Sequence, residues 1–495
     1  MPRSTPPPRS VETVIIGAGF SGLGAAIHLD RRGWRDWAIL ERGDDVGGTW
    51  RDNVYPGAAC DIASHLYSFS FHLNPDWSHV YARQPEIQAY LKGCVSAFGL
   101  ADRIHTGQTV TAAAFDDQTG RWTVTCASGA VVIARFLIFG VGGLKDPRDP
   151  AIPGWGSFEG PTLHTARWDH SVDWRGKRVG SIGTGASAIQ VVPELAPDAA
   201  HLTVFQRTPA WVVPRNDRAF RGWEKAAFRR LRGCMRAERW RLYLRQEARY
   251  PVLFARDSAA GRLIGRLVAW NISRQIDDPA LAHALTPDYR IGCKRVLVSD
   301  DWFPTLNRPD VALETRPIAR VVPDGVVLDD DTHLPLDVLV AATGFMVDQP
   351  LGSMQVTGSG GLDIDAAWGD RPRAWLGVTM PGFPNAFLLL GPNTALGHNS
   401  VVVMIEAQLR YIMQGIAAAK GAGPDGRIDL REGLLDRFLD EMDARHAGQI
   451  WASGCNSWYL SSQGENFTLW PGSTLDYIRR TWRFDQENYR VDPAG

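Results

Sequence analysis

The sequence predicts an α/β fold with two open parallel sheets, and three observations carry that prediction. "VETVIIGAGFSGLGAAIHLDRRG" joins a short apolar run to a glycine-rich turn and a helical pattern. "KRVGSIGTGASAIQVVPELA" repeats the signal more than 150 residues later. A second apolar run follows each copy, and the residues Glu41 and Arg207 just past these runs stand at the same distance from the turns. With 495 residues the chain is too long for one ordinary core, which suggests two or three domains. A formal net charge of -1 excludes a protein built mainly to hold nucleic acid.

In the first copy, Val14, Ile15 and Ile16 read as a buried strand, and Leu23, Ala26 and Ile27 fall on one helical face. Gly17, Gly19 and Gly22 have G-x-G-x-x-G spacing. Such a turn lets the backbone approach a pyrophosphate at the helix N-terminus, with Phe20 and Ser21 inside the turn. The next strand, "WAIL", runs into Glu41 and Arg42, and Glu41 stands twenty-two residues beyond Gly19. An acid at that distance accepts hydrogen bonds from ribose hydroxyls, as a cofactor such as FAD requires.

In the second copy, Arg178 to Ile182 reads as the strand. Gly183, Gly185 and Ala188 give G-x-G-x-x-A around Thr184, Ala186, Ser187 and Gln190. The strand "LTVF" leads into Gln206, Arg207 and Thr208, and Arg207 stands twenty-two residues beyond Gly185, where the first copy has its acid. An acid repels a 2′-phosphate, whereas an arginine binds it bidentately. The second site therefore suits NADPH. Two dinucleotide sites in one chain imply electron transfer from nicotinamide to flavin.

The six cysteines (Cys60, Cys94, Cys126, Cys234, Cys293 and Cys455) are far apart and read as independent reduced thiols. No Cys/His cluster has zinc spacing, so no metal site is expected. The Pro-rich start "MPRSTPPPRS" lacks the apolar core of a signal peptide, and no apolar run reaches a membrane-spanning length, which predicts a cytoplasmic protein.

Several further motifs resemble one family. Gly47, Gly48, Thr49, Trp50, Asn53, Tyr55, Pro56, Gly57 and Asp61 stand in the loop after Glu41. Phe158, Gly160, His164 and Trp168, followed by Asp169, form F-x-G-x-x-x-H-x-x-x-W between the two glycine turns. "FQRTPAW", "GCKRVLVSDDWFPTLNRP", "LDVLVAATGF", "FLLLGPNTALGHNS" and "GCNSWYL" follow in order. The chain thus resembles the class B flavoprotein monooxygenases over nearly its whole length, and Trp168 at the last fingerprint position makes it most like the Baeyer–Villiger monooxygenases. The resemblance implies an FAD- and NADPH-dependent monooxygenase using a flavin C4a-peroxide to insert one oxygen atom of O2 into a small ketone, giving an ester or lactone. By the same resemblance Arg295 is the cation that supports the developing oxyanion, and Asp61 pairs with it. Lys294 joins Arg207 at the 2′-phosphate, and Trp458 closes over the nicotinamide ribose. The fingerprint becomes a linker coupling NADP binding to domain positioning.

The family also implies two Rossmann-like domains interrupted by a helical insertion. The FAD-binding domain spans 1–145 and 379–495, the NADP-binding domain 146–214 and 291–378, and the insertion 215–290. Pocket walls are expected from the loops at 351–370 and after Trp458. "FLLLGPNTALGHNSVVVMIEAQLRYI" reads as strand, turn and amphipathic helix, with Val402, Ile405, Leu409 and Ile412 on one face and the helix start near His398–Ser400 turned to the flavin. In the insertion, basic residues outnumber acidic ones about threefold between Arg215 and Arg274. That pattern reads first as the solvated face of a family subdomain and second as a peripheral membrane contact. The alternatives to ketone oxygenation are N- or S-oxygenation, a leaky NADPH oxidase and a non-catalytic flavin-binding or membrane-associated sensor.

Overall fold

The first strand–turn–helix signal builds the interior of a large sheet. In the computed structural model, which describes residues 6–455, 457–461 and 463–492, Ser10–Ile16 lies parallel between Trp37–Leu40 and Val131–Phe139. Around them the sheet runs in the order Gln355–Thr357, Val110–Asp116, Arg121–Cys126, Val131–Phe139, Ser10–Ile16, Trp37–Leu40, Ile104–His105. Ala386–Leu388 also pairs with Val131–Phe139 in parallel. One face is covered by Phe20–Arg31 and Val401–Gly421, whose Val402, Ile405, Leu409 and Ile412 are buried. Val401–Gly421 is long and apolar enough to span a membrane by length and composition, yet its apolar side chains form this core.

The second signal builds a five-stranded sheet, all parallel, in the order Val311–Glu314, His201–Phe205, Arg178–Ile182, Val338–Ala341, Thr162–His164. Val179, Leu202 and Val204 are fully buried, as expected for strands covered on both faces. The helix Ala188–Leu195 packs over it.

Between the sheets the chain crosses twice, and the crossings pair. Pro147 bridges Phe345, the Arg148 amide donates to Gly344 O (2.9 Å), and the Met346 amide donates to Asp146 O (2.9 Å). The insertion forms five helices, Gly222–Arg230, Arg232–Glu247, Tyr250–Phe254, Ala259–Gln275 and Pro279–Ala284. Leu242 and Tyr243 pack into the core beneath the first sheet, whereas Val268 and Ile272 pack into that of the second, so the insertion touches both.

Three expectations need correction. The boundary at 378/379 comes too late: Gln355–Thr357 already pairs with Val110–Asp116, and Leu351, Val356, Ile364 and Trp368 join that sheet's core. Leu351, Met354, Val356, Ile364 and Trp368 of the 351–370 stretch thus belong to that core, while the residues between them are largely exposed. Not all cysteines are free: Cys293 and Cys455 form a disulfide with a Cα–Cα separation of 5.6 Å, within the range such a bond requires. Their separation of 162 residues hid this partnership. Finally, the fingerprint is more than a linker, because Thr162–His164 is the edge strand beside Val338–Ala341.

Candidate active site

At the first turn Gly17 has φ +96°, and a Cβ there meets Gly140 O at 2.8 Å. A Cβ on Gly22 would stand 1.8 Å from Gly17 O, so the helix Phe20–Arg31 sits against its own turn. Glu41 is 3% exposed. Its Oε2 accepts the Ala18 amide (2.7 Å), and its Oε1 accepts the Gly43 amide (2.8 Å) and Arg51 Nη1 (2.6 Å). An ionised carboxylate has about four acceptor positions. The remaining capacity is what a ribose hydroxyl can use. Phe20 is a core side chain, edge-on to Tyr67 and Phe69, and Ser21 is buried, so only their backbone serves the turn. Arg42 turns to Asp146 (2.9 Å) and Asp52 (3.7 Å), toward the crossing segments. In the loop that follows, Gly48 precedes the short helix Thr49–Asp52, and Trp50 Nε1 donates to Tyr67 Oη (3.2 Å).

The second turn differs. Gly183 has φ +111°, but Gly185 has nothing within 4 Å of a Cβ position, leaving room for a pyrophosphate before the helix Ala188–Leu195. Ala186 and Ser187 supply the approach to that helix, and Thr184 Oγ1 donates to Thr208 O (3.0 Å). Gln190 turns toward the first domain: its Oε1 accepts from Tyr55 Oη (2.8 Å), and its Nε2 donates to Ala59 O (3.0 Å). Arg207 is exposed, and no carboxylate pairs with it or with Lys294 among the described residues. Lys294 lies over the Tyr289 ring at 4.9 Å; burial and then the nearby Arg207 charge hold its pKa below the ordinary value. Two adjacent cations, neither in an ion pair among the described residues and with only the more distant Asp288 opposing them, suit a 2′-phosphate.

Arg295 reaches across from the second domain. Its Nε and Nη2 donate to Asp61 Oδ2 at 2.8 and 2.5 Å, and its Nη1 donates to Leu396 O at 3.4 Å. Both side chains of the pair keep 28% of their surface accessible. The Asp61 charge, against the opposing effect of burial, raises Arg295 above its ordinary pKa, so the guanidinium stays charged. Tyr459 is buried beside it, and burial pushes the phenol up. Trp458 packs on the Tyr459 ring, with centroids 4.3 Å apart, and remains 47% exposed.

The fingerprint residues meet the paired crossings. His164 Nδ1 accepts the Ala166 amide (3.0 Å), and its Nε2 lies 3.3 Å from Thr343 Oγ1, which itself donates to Arg148 O (2.5 Å). Burial lowers the His164 pKa, which favours the neutral ring. A Cβ on Gly160 would stand 2.6 Å from Asp337 O and from the Phe158 ring. Trp168 is buried edge-on to Trp174.

Sequence reasoning missed Glu247. This insertion residue accepts from Asn399 Nδ2 (2.6 Å), the Thr474 hydroxyl (2.5 Å) and the Thr474 amide (3.1 Å), and lies 3.3 Å from His398 Nε2. It holds the turn ahead of Ser400, which caps Val401–Gly421. Only the fold brings these positions together. The disulfide was missed for the same reason: it ties the residue before Lys294 and Arg295 to the segment carrying Trp458 and Tyr459.

The family model for pyridine nucleotide-disulphide oxidoreductase matches residues 14–237. A Baeyer–Villiger monooxygenase of Streptomyces coelicolor is 41% identical over 97% of this chain and 92% of its own. Another, of Pseudomonas aeruginosa, is 40% identical over 98% of this chain and 92% of its own. Among solved structures, a steroid monooxygenase bound to NADP superimposes with a TM-score of 0.88 at 32% identity, covering 98% of this chain and 100% of that one. A Rhodococcus cyclohexanone monooxygenase bound to NADP+ gives 0.87 at 30% identity, with the same coverage.

Proposed function

This chain belongs to the Baeyer–Villiger monooxygenases, and from that premise we infer how its residues divide the work. The protein is an NADPH-dependent flavoprotein monooxygenase that uses FAD and O2 to oxygenate a ketone. When bound, FAD reduced by NADPH supplies the activated oxygen. The first turn with Glu41 holds FAD; the second, with Arg207 and Lys294, holds NADPH.

The observation that carries the chemistry is the Asp61–Arg295 pair, which joins the two domains and stays partly accessible. As oxygen adds to a ketone carbonyl, negative charge gathers on the former carbonyl oxygen. A cation already fixed beside that atom stabilises the charge without reorganising. Arginine suits the role because it remains protonated. Asp61 aims the guanidinium and offsets its burial. The product is an ester or lactone; a related cyclohexanone monooxygenase has been solved with ε-caprolactone bound. His164, at the end of the edge strand and against the paired crossings, is in position to transmit nucleotide binding to domain placement, and Trp458 is the candidate cover over the nicotinamide ribose.

The test is Arg295→Ala. We expect flavin to stay bound and NADPH to reduce it, while ketone-dependent ester formation falls by ~10²–10³. Stopped-flow reduction beside product mass analysis reads both steps. Ester formation at the wild-type rate removes the assignment and leaves the oxidase or N- and S-oxygenating readings.

A further inference from the structure

The helix Ala259–Gln275 has the wrong face outward for a solvated helix. Its sequence, "AAGRLIGRLVAWNISRQ", contains no acidic residue. Val268 and Ile272 are buried in the second domain's core, and Ile264 and Ala269 pack against that core. Those positions fix the outer face, which consists of Arg262, Leu263, Arg266, Leu267, Trp270 and Arg274. Leu263, Leu267 and Trp270 follow i, i+4, i+7 spacing and are 57%, 53% and 57% exposed. Scattered exposed apolar residues are ordinary, but a continuous stripe of three large ones on one helix marks a contact surface.

The charge identifies the partner. No carboxylate pairs with Arg262, Arg266 or Arg274 among the described residues, and Arg274 lies 4.9 Å from the Trp270 ring. The preceding long helix, Arg232–Glu247, also exposes Trp240 and Leu244 beside Arg236 and Arg245, although its Arg241 is paired with Glu238 (2.6 Å). A twofold contact with a second copy through this stripe would set arginine against arginine with no acid between them. A bilayer interface bearing anionic headgroups satisfies both halves of the pattern, since acyl chains accept Leu and Trp while phosphates accept Arg.

We propose that the outer face of Ala259–Gln275 is a peripheral docking surface for anionic lipid bilayers. This surface is separate from the Arg295 site, and the proposal does not depend on the ketone chemistry. Binding is reversible, because one amphipathic face is a weak anchor.

The test uses the FAD-loaded protein and sedimentation with vesicles of phosphatidylcholine alone or mixed with phosphatidylglycerol. The wild type is expected to sediment with the mixed vesicles at low salt, not with phosphatidylcholine, and to be released at high salt. Arg262→Glu with Arg266→Glu should weaken binding at least about 25-fold, from about fivefold per lost cation. Trp270→Ser should weaken it about tenfold. Both variants should keep bound flavin and turnover of a water-soluble ketone, which shows that they fold. Three results overturn the proposal: no sedimentation of the wild type, unchanged binding by both variants, or a concentration-dependent dimer that Trp270→Ser abolishes. The last assigns the face to a second copy.

Discussion

The two glycine turns share a spacing and a first glycine whose Cβ would strike a carbonyl oxygen, 2.8 Å at Gly17 and 2.7 Å at Gly183, and they differ at the positions that follow. The first is sealed: Gly22 touches its own turn, and Glu41 is buried and held by two amides and Arg51. The second is open: Gly185 faces empty space, Arg207 is exposed, and neither Arg207 nor Lys294 makes an ion pair among the described residues. A ligand whose site is built into a core leaves slowly, whereas one held at an open rim by charge exchanges readily. That division fits a resident flavin and a nicotinamide that comes and goes.

The sharpest way to break the comparison is to add one methyl to each turn. Gly22→Ala forces a Cβ onto Gly17 O and is expected to eliminate bound flavin, read as absorbance after gel filtration. Gly185→Ala meets no atom within 4 Å, so it should fold with flavin intact and raise the KM for NADPH roughly tenfold, about the value of one charge-assisted hydrogen bond. Flavin loss in both variants, or in neither, dissolves the distinction.

Charge gives the next contrast. Arg207→Ala should reduce the preference for NADPH over NADH by about tenfold to a hundredfold in kcat/KM, with little change toward NADH. Glu41→Gln should instead weaken flavin retention and leave nucleotide preference alone. Equal losses with both nucleotides for Arg207→Ala contradict a 2′-phosphate site.

Acid should loosen the sealed half. Burial lowers His28, His65 and His446, all in or against the first domain, to about 4 from the ordinary 6.5. Between those values the unfolded chain binds protons that the folded chain does not, so stability falls as pH drops from 6.5 toward 4. Each unit of such a shift is worth about 1.4 kcal/mol. The midpoint of thermal flavin release should fall across that range, and His65→Gln should flatten its slope. A pH-independent midpoint argues against neutral buried rings.

The smallest effect concerns thiols. Denatured without reductant, the protein should show four reactive thiols, Cys60, Cys94, Cys126 and Cys234, and six after reduction. Six from the start would mean that the cross-link beside the open site is absent.

Both turns were legible in the sequence by itself, with the acid and the arginine that follow them, Glu41 and Arg207, whereas Asp61 and Arg295 were legible only through the resemblance to the family. Those signals survive in one dimension because strand, turn and helix are adjacent in the chain and the ribose contact follows at a fixed spacing. Tertiary structure alone decided that Gln355–Thr357 returns to the first sheet, that Thr162–His164 is an edge strand, and that Cys293 meets Cys455. It also decided that Glu247 holds the turn before Ser400 and that Leu263, Leu267 and Trp270 face outward. In the sequence those three apolar residues look no different from Val268 and Ile272 on the opposite face. Hydrophobic periodicity tells that a helix has faces, but only the packing of the rest of the chain decides which of them is covered.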